Sequence, residues 1–339
     1  MSDKVLITGA SGFIGQHLVR AALQEGYDVH AAVRPSSELG GLRQLGTLAQ
    51  GGGSLTLVYP DYRSAASLVP LLQEGTYAYI IHAAGATRAK DLAAYNQVNA
   101  TYTLHLAQAA LAAGIPLKRF VFMSSLAALG PAEYAAQQPL TEATRPNPVT
   151  WYGASKLRAE RYLMELKALP LTIIRPTAVY GPGEKDLFIL FKTLSRGLDL
   201  YIGRQPQRLS FVYVQDLVAA TMAALKAPAK PGSTYNISDG RAYDRYALAQ
   251  VYRELSGKSP YRLHVPLPLI ALTATLLEAS TIVSKSTPVL NKEKIKELTA
   301  ANWYCSIETA QKELNYRPSH DLRSGMAETL AWYQEHHWL

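Results

Sequence analysis

Tyr152 and Lys156 stand four residues apart in Tyr-Gly-Ala-Ser-Lys, so on a helix a phenol and an ammonium share one face. A tyrosine ordinarily ionises near pH ~10, too high for a useful base at neutrality, and a cation beside it stabilises the phenolate. The spacing predicts a phenol that Lys156 brings toward neutrality, able to give a proton to a substrate oxygen or take one from it. Ser124 and Ser125 close the apolar run before them, where a hydroxyl can hold the same oxygen. A second stretch, Thr8-Gly9-Ala10-Ser11-Gly12-Phe13-Ile14-Gly15, follows the apolar Val5-Leu6-Ile7. Glycines there permit a tight turn and close backbone approach, and the helix that follows turns free N–H groups toward a pyrophosphate. Their G-x-x-G-x-x-G spacing departs by one residue from the usual dinucleotide fingerprint. Taken together, the two stretches predict hydride chemistry on a nicotinamide cofactor.

Roughly 20 residues past such glycines, NAD-preferring enzymes carry Asp or Glu for the ribose 2′-hydroxyl. Here Val33-Arg34-Pro35-Ser36-Ser37 holds no carboxylate. Arg34 is placed to fork onto a 2′-phosphate, which favours NADP(H) and leaves NAD(H) open. Arg43 is a second, weaker phosphate contact.

Strands and helices must position these groups. Val5–Thr8, Val29–Val33, Leu55–Tyr59, Tyr79–His82, Phe120–Ser124 and Leu171–Arg175 read as buried strands. Gly12–Glu25, Asn96–Ala113 and Tyr152–Ala168 have helical periodicity, with Gly26 ending the first. Strand alternating with helix predicts a Rossmann-type, doubly wound parallel α/β sheet with a smaller, mostly helical C-terminal substrate region. The expected division is a dinucleotide-binding domain over 1–177, to which 211–238 returns through strands at Phe211–Asp216 and Thr234–Ile237. The substrate region then comprises 178–210 and 239–339. Gly51-Gly52-Gly53 reads as a loop. Val265–Val283 is apolar but broken by Pro266, Pro268 and Glu278, so it predicts a core or pocket-lid helix, or an interfacial one, rather than a span.

Composition bounds the rest. Apolar residues make up 48% of the 339 and charged ones 18%, a soluble globular balance. A single cysteine, Cys305, excludes an intrachain disulfide framework and fits a reducing cytoplasm, as does an N-terminus without a secretory pattern. The net charge of +8 is scattered rather than gathered in runs, so a solvated surface is predicted and nucleic-acid binding is not. The expected partner is a small molecule, and no metal site is predicted.

With these motifs on the page, the chain resembles the extended short-chain dehydrogenase/reductases, the NAD-dependent epimerase/dehydratase family, over essentially its full length. The resemblance rests on TGASGFIG (8–15), Asp61, HAAG (82–85), Asn99 in VNAT, SSLAALG (124–130), YGASK (152–156), RPTAVYGPG (175–183), FVYVQDL (211–217), YNISDG (235–240) and the ending LNYRPSHDL…TLAWYQEH. It implies that Ser125, five residues before Gly130, is the catalytic serine in preference to Ser124, with Tyr152 and Lys156 as acid/base and its tuner. Asn99 would support the active-site helix or a proton relay, or make a structural hydrogen bond. The cofactor would lie against Gly9, Ser11, Gly12, Phe13, Ile14 and Gly15, with Arg34 at its ribose and Asp61 and Tyr62 at its adenine. Ala83, Ala84, Gly85, Asn99, Tyr152, Lys156, Pro176, Thr177 and Val179 would complete its bed. A homodimer through two helices per subunit is implied in the same way.

Within that family, three features favour a simple oxidoreductase. The acidic residue that NAD-retaining epimerases carry at the second strand is missing. Leu209 occupies the position of a diphosphate-gripping arginine, although Arg208 adjoins it. Leu126-Ala127-Ala128, without a carboxylate, follow Ser125. Together with the apolar 265–283 segment, these resemble dihydroflavonol 4-reductase-like and 3β-hydroxysteroid dehydrogenase-like members. The expected activity is hydride transfer between NADP(H) and a hydrophobic or cyclic ketone or alcohol. The alternatives are a nucleotide-sugar epimerase or dehydratase with retained NAD and, as a minor one, a non-catalytic cofactor-binding regulator.

Overall fold

The computed structural model describes residues 2–47, 53–136, 138–270 and 292–339. Eleven strands are described: β1 Lys4–Thr8, β2 Asp28–Ala32, β3 Leu55–Val58, β4 Tyr79–His82, β5 Arg119–Met123, β6 Leu171–Pro176, β7 Ala178–Tyr180, β8 Leu198–Ile202, β9 Phe211–Tyr213, β10 Ser233–Ile237 and β11 Tyr261–Val265. Seven of them form one sheet in the order β3-β2-β1-β4-β5-β6-β10. Every neighbouring pair in it runs parallel. The residues explain it: continuous apolar runs make strands that must be covered on both faces, and β4, β5 and β6 are buried at every position.

The covering helices are α1 Phe13–Gln24, α2 Gly40–Thr47, α3 Ala65–Gly75, α4 Leu92–Asn96, α5 Tyr102–Ala112, α6 Trp151–Glu165, α7 Asp186–Ser195, α8 Val214–Lys226 and α9 Ala247–Ser256. Leu18, Val19, Leu217 and Val218 of α1 and α8 share one core with β1 and β2. Leu68, Leu72, Leu106 and Leu163 of α3, α5 and α6 share a second core with β5. A third, around Tyr180, Phe191, Tyr252, Met326 and Tyr333, joins α7 and α9 to the C-terminal helix Leu322–Glu335. Strand order reverses between β1 and β4. The loops leaving their C-terminal ends therefore part and open a crevice, the place where such sheets receive ligands.

Two elements differ from expectation. The segment 96–113 is not one helix: α4 passes through a π-turn, Gln97–Thr101, before α5 begins. Apolar periodicity does not register one wider turn, yet that turn carries Asn99. Phe211–Asp216 does not return to the large sheet. β10 already occupies the outer edge of β6, so β9 pairs with β7 and α8 starts at Val214. The apolar stretch 265–283 begins at the last residue of β11 and lies outside the described residues from 271, as do Gly51 and Gly52. Among the described residues no helix is long and apolar enough to cross a membrane.

Candidate active site

At the mouth of the crevice, Gly9 sits at φ +68° and passes so close to the β4 loop that a Cβ there would lie 2.8 Å from Ala83 and Ala84 backbone atoms. A Cβ on Gly15 would lie 2.0 Å from the Gly9 carbonyl oxygen. Side chains at either position would dismantle the turn, which closes through Gly12 N–H to Gly9 O at 2.9 Å. Phe13 and Ile14 begin α1 directly after it. Ser11 Oγ donates to Ser37 Oγ at 3.3 Å, and Ser37 Oγ accepts from Arg34 N–H at 3.1 Å. One serine thus ties the glycine turn to the end of β2 and leaves the Arg34 side chain exposed beside it. Arg43 is exposed on α2.

Deeper in the crevice, Thr150 caps α6 by accepting from Gly153 N–H at 3.0 Å, which starts the helix immediately before Tyr152. Tyr152 is partly accessible, and its hydroxyl shares a hydrogen bond with Ser125. Ser125 Oγ also accepts from Ala127 N–H at 3.2 Å, fixing the serine at the head of a short turn. Lys156 is buried and donates from Nζ to the Met123 carbonyl at 2.8 Å, with Nζ 4.9 Å from the Phe122 ring centre. The crevice floor is tight here: a Cβ on Gly85 would lie 3.1 Å from Lys156 Nζ and 3.2 Å from Asn99 Oδ1.

The electrostatics correct one expectation. Burial pushes the Tyr152 phenol up to about 12, only partly offset by its Ser125 hydrogen bond. Burial also brings Lys156 down to about 8, with Glu160 pulling the other way. In this arrangement the phenol is held neutral, because desolvation outweighs the Ser125 hydrogen bond and the Glu297 carboxylate pushes the same way as burial. A neutral Tyr152 is a proton donor.

The surrounding polar groups account for the geometry. Ser124 Oγ donates to Glu160 Oε1 at 2.5 Å. Arg175 grips the same buried carboxylate in two hydrogen bonds of 2.9 and 2.6 Å. Ser124 is therefore committed to the protein interior, and Ser125 is the hydroxyl that faces Tyr152. Asn99 is fully buried: its Oδ1 accepts from Ala86 N–H at 2.7 Å, and its Nδ2 donates to Ala86 O at 3.0 Å and to Ser155 Oγ at 2.9 Å. Ser155 in turn donates to the Tyr152 carbonyl at 2.7 Å, so the π-turn braces the first turn of α6. His82, buried between Thr8 and Thr103 at 2.7 and 2.8 Å, is held neutral at about 3, chiefly by burial and then by Lys156.

Other predicted residues are less drawn in. Asp61 is bound bidentately by Arg63, whose Nε donates to Oδ1 at 3.0 Å and whose second terminal nitrogen donates to Oδ2 at 2.7 Å, and its carboxyl is held below the usual range by that arginine. Tyr62 stacks on Tyr102 with ring centres 6.0 Å apart, and burial raises its phenol. Ala84 N–H donates to Thr8 Oγ1 at 3.1 Å, joining the β4 loop to β1. Pro176 ends β6, Thr177 N–H donates to Ile237 O at 3.1 Å, and Val179 pairs with Val212 in β7. Ser37, His82, Glu160 and Arg175 escaped the sequence reading as site residues. The one available signal was spacing, since Glu160 continues the 152, 156 series by one more turn.

The profile of the NAD dependent epimerase/dehydratase family matches residues 5–238. The chain is similar to a ceramide reductase of Caulobacter vibrioides, 29% identical over 338 residues, covering 99% of this chain and 96% of that protein. It is also similar to a UDP-glucose 4-epimerase of Vibrio cholerae, 28% identical with 97% and 95% covered. Among solved structures, the UDP-glucose 4-epimerase of Thermotoga maritima superposes with a TM-score of 0.79 at 20% identity, covering 98% of this chain and 99% of that one. That likeness speaks to the fold.

Proposed function

Because the chain belongs to the NAD dependent epimerase/dehydratase family, we propose that it is an NADPH-favouring reductase of a hydrophobic or cyclic ketone. The glycine turn fits a dinucleotide: Gly9 and Gly15 let it close tightly against the β4 loop at the head of α1, and Ser11, Ser37 and Arg34 lie beside it at the end of β2. When bound there, the nicotinamide supplies the hydride. The observation that carries the reading is the partly accessible Tyr152 hydroxyl paired with Ser125, one helical turn from the buried Lys156 that the Met123 carbonyl holds in place. Ser125 holds the substrate oxygen and Tyr152 donates the proton as that oxygen gains negative charge. Lys156, charged below about pH 8, stabilises the phenolate left behind. Asn99, Ser155 and the Glu160–Arg175 pair position these groups.

Two further points support the reading. The Ser125 hydrogen bond places a second hydroxyl where the substrate oxygen would meet the Tyr152 phenol. The relative named for ceramide, a lipid, supports an apolar substrate. The experiment is to denature freshly purified protein and assay what it releases, then to titrate it with the four nicotinamide forms. Weak, exchangeable binding with NADPH preferred supports a reductase. Stoichiometric, tightly held NAD without a 2′-phosphate would assign the chain to the epimerases or dehydratases instead.

A further inference from the structure

The parallel ladder of β8 and β11 wears its polarity inside out. Register places Leu198 beside Tyr261, Leu200 beside Leu263 and Ile202 beside Val265 on one face, with Asp199 beside Arg262 and Tyr201 beside His264 on the other. The polar face is the inner one. Asp199 is fully buried, and its Oδ2 accepts from Arg253 at 2.8 Å and Arg262 at 3.1 Å. The Arg262 guanidinium lies 4.1 Å from the Tyr246 ring centre, and the Tyr246 hydroxyl meets His264 Nε2 at 3.0 Å. On the apolar face Leu198, Leu200 and Leu263 are 43%, 42% and 44% exposed, and Tyr261 is 71% exposed. Leu267 and Leu269, just past β11, are also exposed, at 45% and 52%. Half-buried strands ordinarily present the opposite order, and adjoining exposed apolar side chains mark a contact surface. The inner ion pairs and ring stacks keep the ladder from rolling that face inward.

Charge selects the partner. Lys192 and Arg196 precede β8, Arg204 follows it and Lys258 precedes β11, all four exposed. From 192 to 204 the only acid is the buried Asp199, and from 255 to 270 there is none. Within these two segments every exposed charge is a cation. A second copy docking through the same face would set these like charges against each other, whereas an anionic lipid surface offers both acyl chains and phosphates. We propose that the outer face of the β8–β11 ladder seats this protein on anionic bilayers, its leucines and Tyr261 among the acyl chains and its cations on the headgroups. The contact is peripheral and stands independently of the reaction proposed above.

The test is co-sedimentation of the full chain with vesicles of phosphatidylcholine alone or mixed with equal phosphatidylglycerol. Wild type should sediment with the anionic vesicles and less in high salt. Leu200→Glu with Leu263→Glu should lower the partition coefficient at least about tenfold, and Lys258→Ala about fivefold. Each variant is first shown to keep the wild-type melting temperature. Should the double glutamate variant fail to fold, Tyr261→Ser serves in its place and should lower partitioning in the same direction. No sedimentation with either vesicle, or equal binding by all variants, would overturn the proposal. A concentration-dependent dimer lost in Leu200→Glu, without vesicle binding, would overturn it in favour of a second copy.

Discussion

The two ends of the crevice are built to different degrees of completeness. Around Lys156 the buried polar side chains hold one another: Ser124 and Arg175 on Glu160, Asn99 on Ala86 and Ser155, His82 between two threonines. Around Arg34 a single serine ties the loop, and the guanidinium stands in solvent. The chemistry accounts for the difference. Proton transfer needs a hydroxyl already in place before the substrate arrives, which only a packed interior supplies. Choosing between a hydroxyl and a phosphate on a ribose needs only a charge within reach, which a surface side chain supplies. On the proposed function, reaction type is written into the core and cofactor preference into the rim.

Substitutions at each end can break that contrast. Tyr152→Phe should lower ketone reduction by about 10³-fold while changing NADPH affinity only a few-fold, read by steady-state kinetics and cofactor titration. Glu160→Gln leaves Arg175 buried against a neutral partner and should destabilise the fold by about 3 kcal/mol, measured by urea unfolding. In the same variant the alkaline limb of the reduction profile, expected near pH 8 from Lys156, should move to lower pH because Glu160 favours the charged ammonium. An unmoved limb with intact folding would make Glu160 a purely structural residue.

At the rim, Arg34→Ala should raise the NADPH dissociation constant by roughly 10- to 100-fold and leave NADH nearly unchanged. Equal losses for both cofactors would remove Arg34 from discrimination. The last effect concerns the pH dependence of stability. His82 is held neutral at about 3, below its unfolded value, so the unfolded chain binds more protons as pH falls below about 6.5. Stability contributed by the neutral ring is present above that pH and should drain away at up to about 1.4 kcal/mol per pH unit below it. Thermal melts of wild type and His82→Gln from about pH 8 down to about pH 4, which crosses the upper part of that window, check it, the variant giving the flatter curve.

Much of this was legible in the residues, for local reasons. Apolar runs ending in glycine announce buried parallel strands, and the four-residue spacing of Tyr152 and Lys156 needs only helix geometry. What escaped depends on partners distant in the chain. Glu160 reads as an ordinary exposed helix carboxylate until β6 sets Arg175 opposite it. The π-turn at Asn99 differs from an α-helix by a single wider turn, which apolar periodicity averages away. Sequence supplies the neighbour of Tyr152 but not its desolvation, and desolvation governs the phenol. β9 found its partner in β7 because the large sheet's edge was already filled.

Transfer of label tests the central claim most directly. The enzyme is incubated with a cyclic ketone and NADPH deuterated at either face of C4 of the nicotinamide, and the product alcohol is weighed by mass spectrometry. A reductase gives an alcohol one mass unit heavier from one of the two faces, with one cofactor oxidised per alcohol formed and about 10³-fold slower labelling by Tyr152→Phe. No deuterium in any product, together with nucleotide-sugar interconversion on NAD that never leaves the protein, would contradict it.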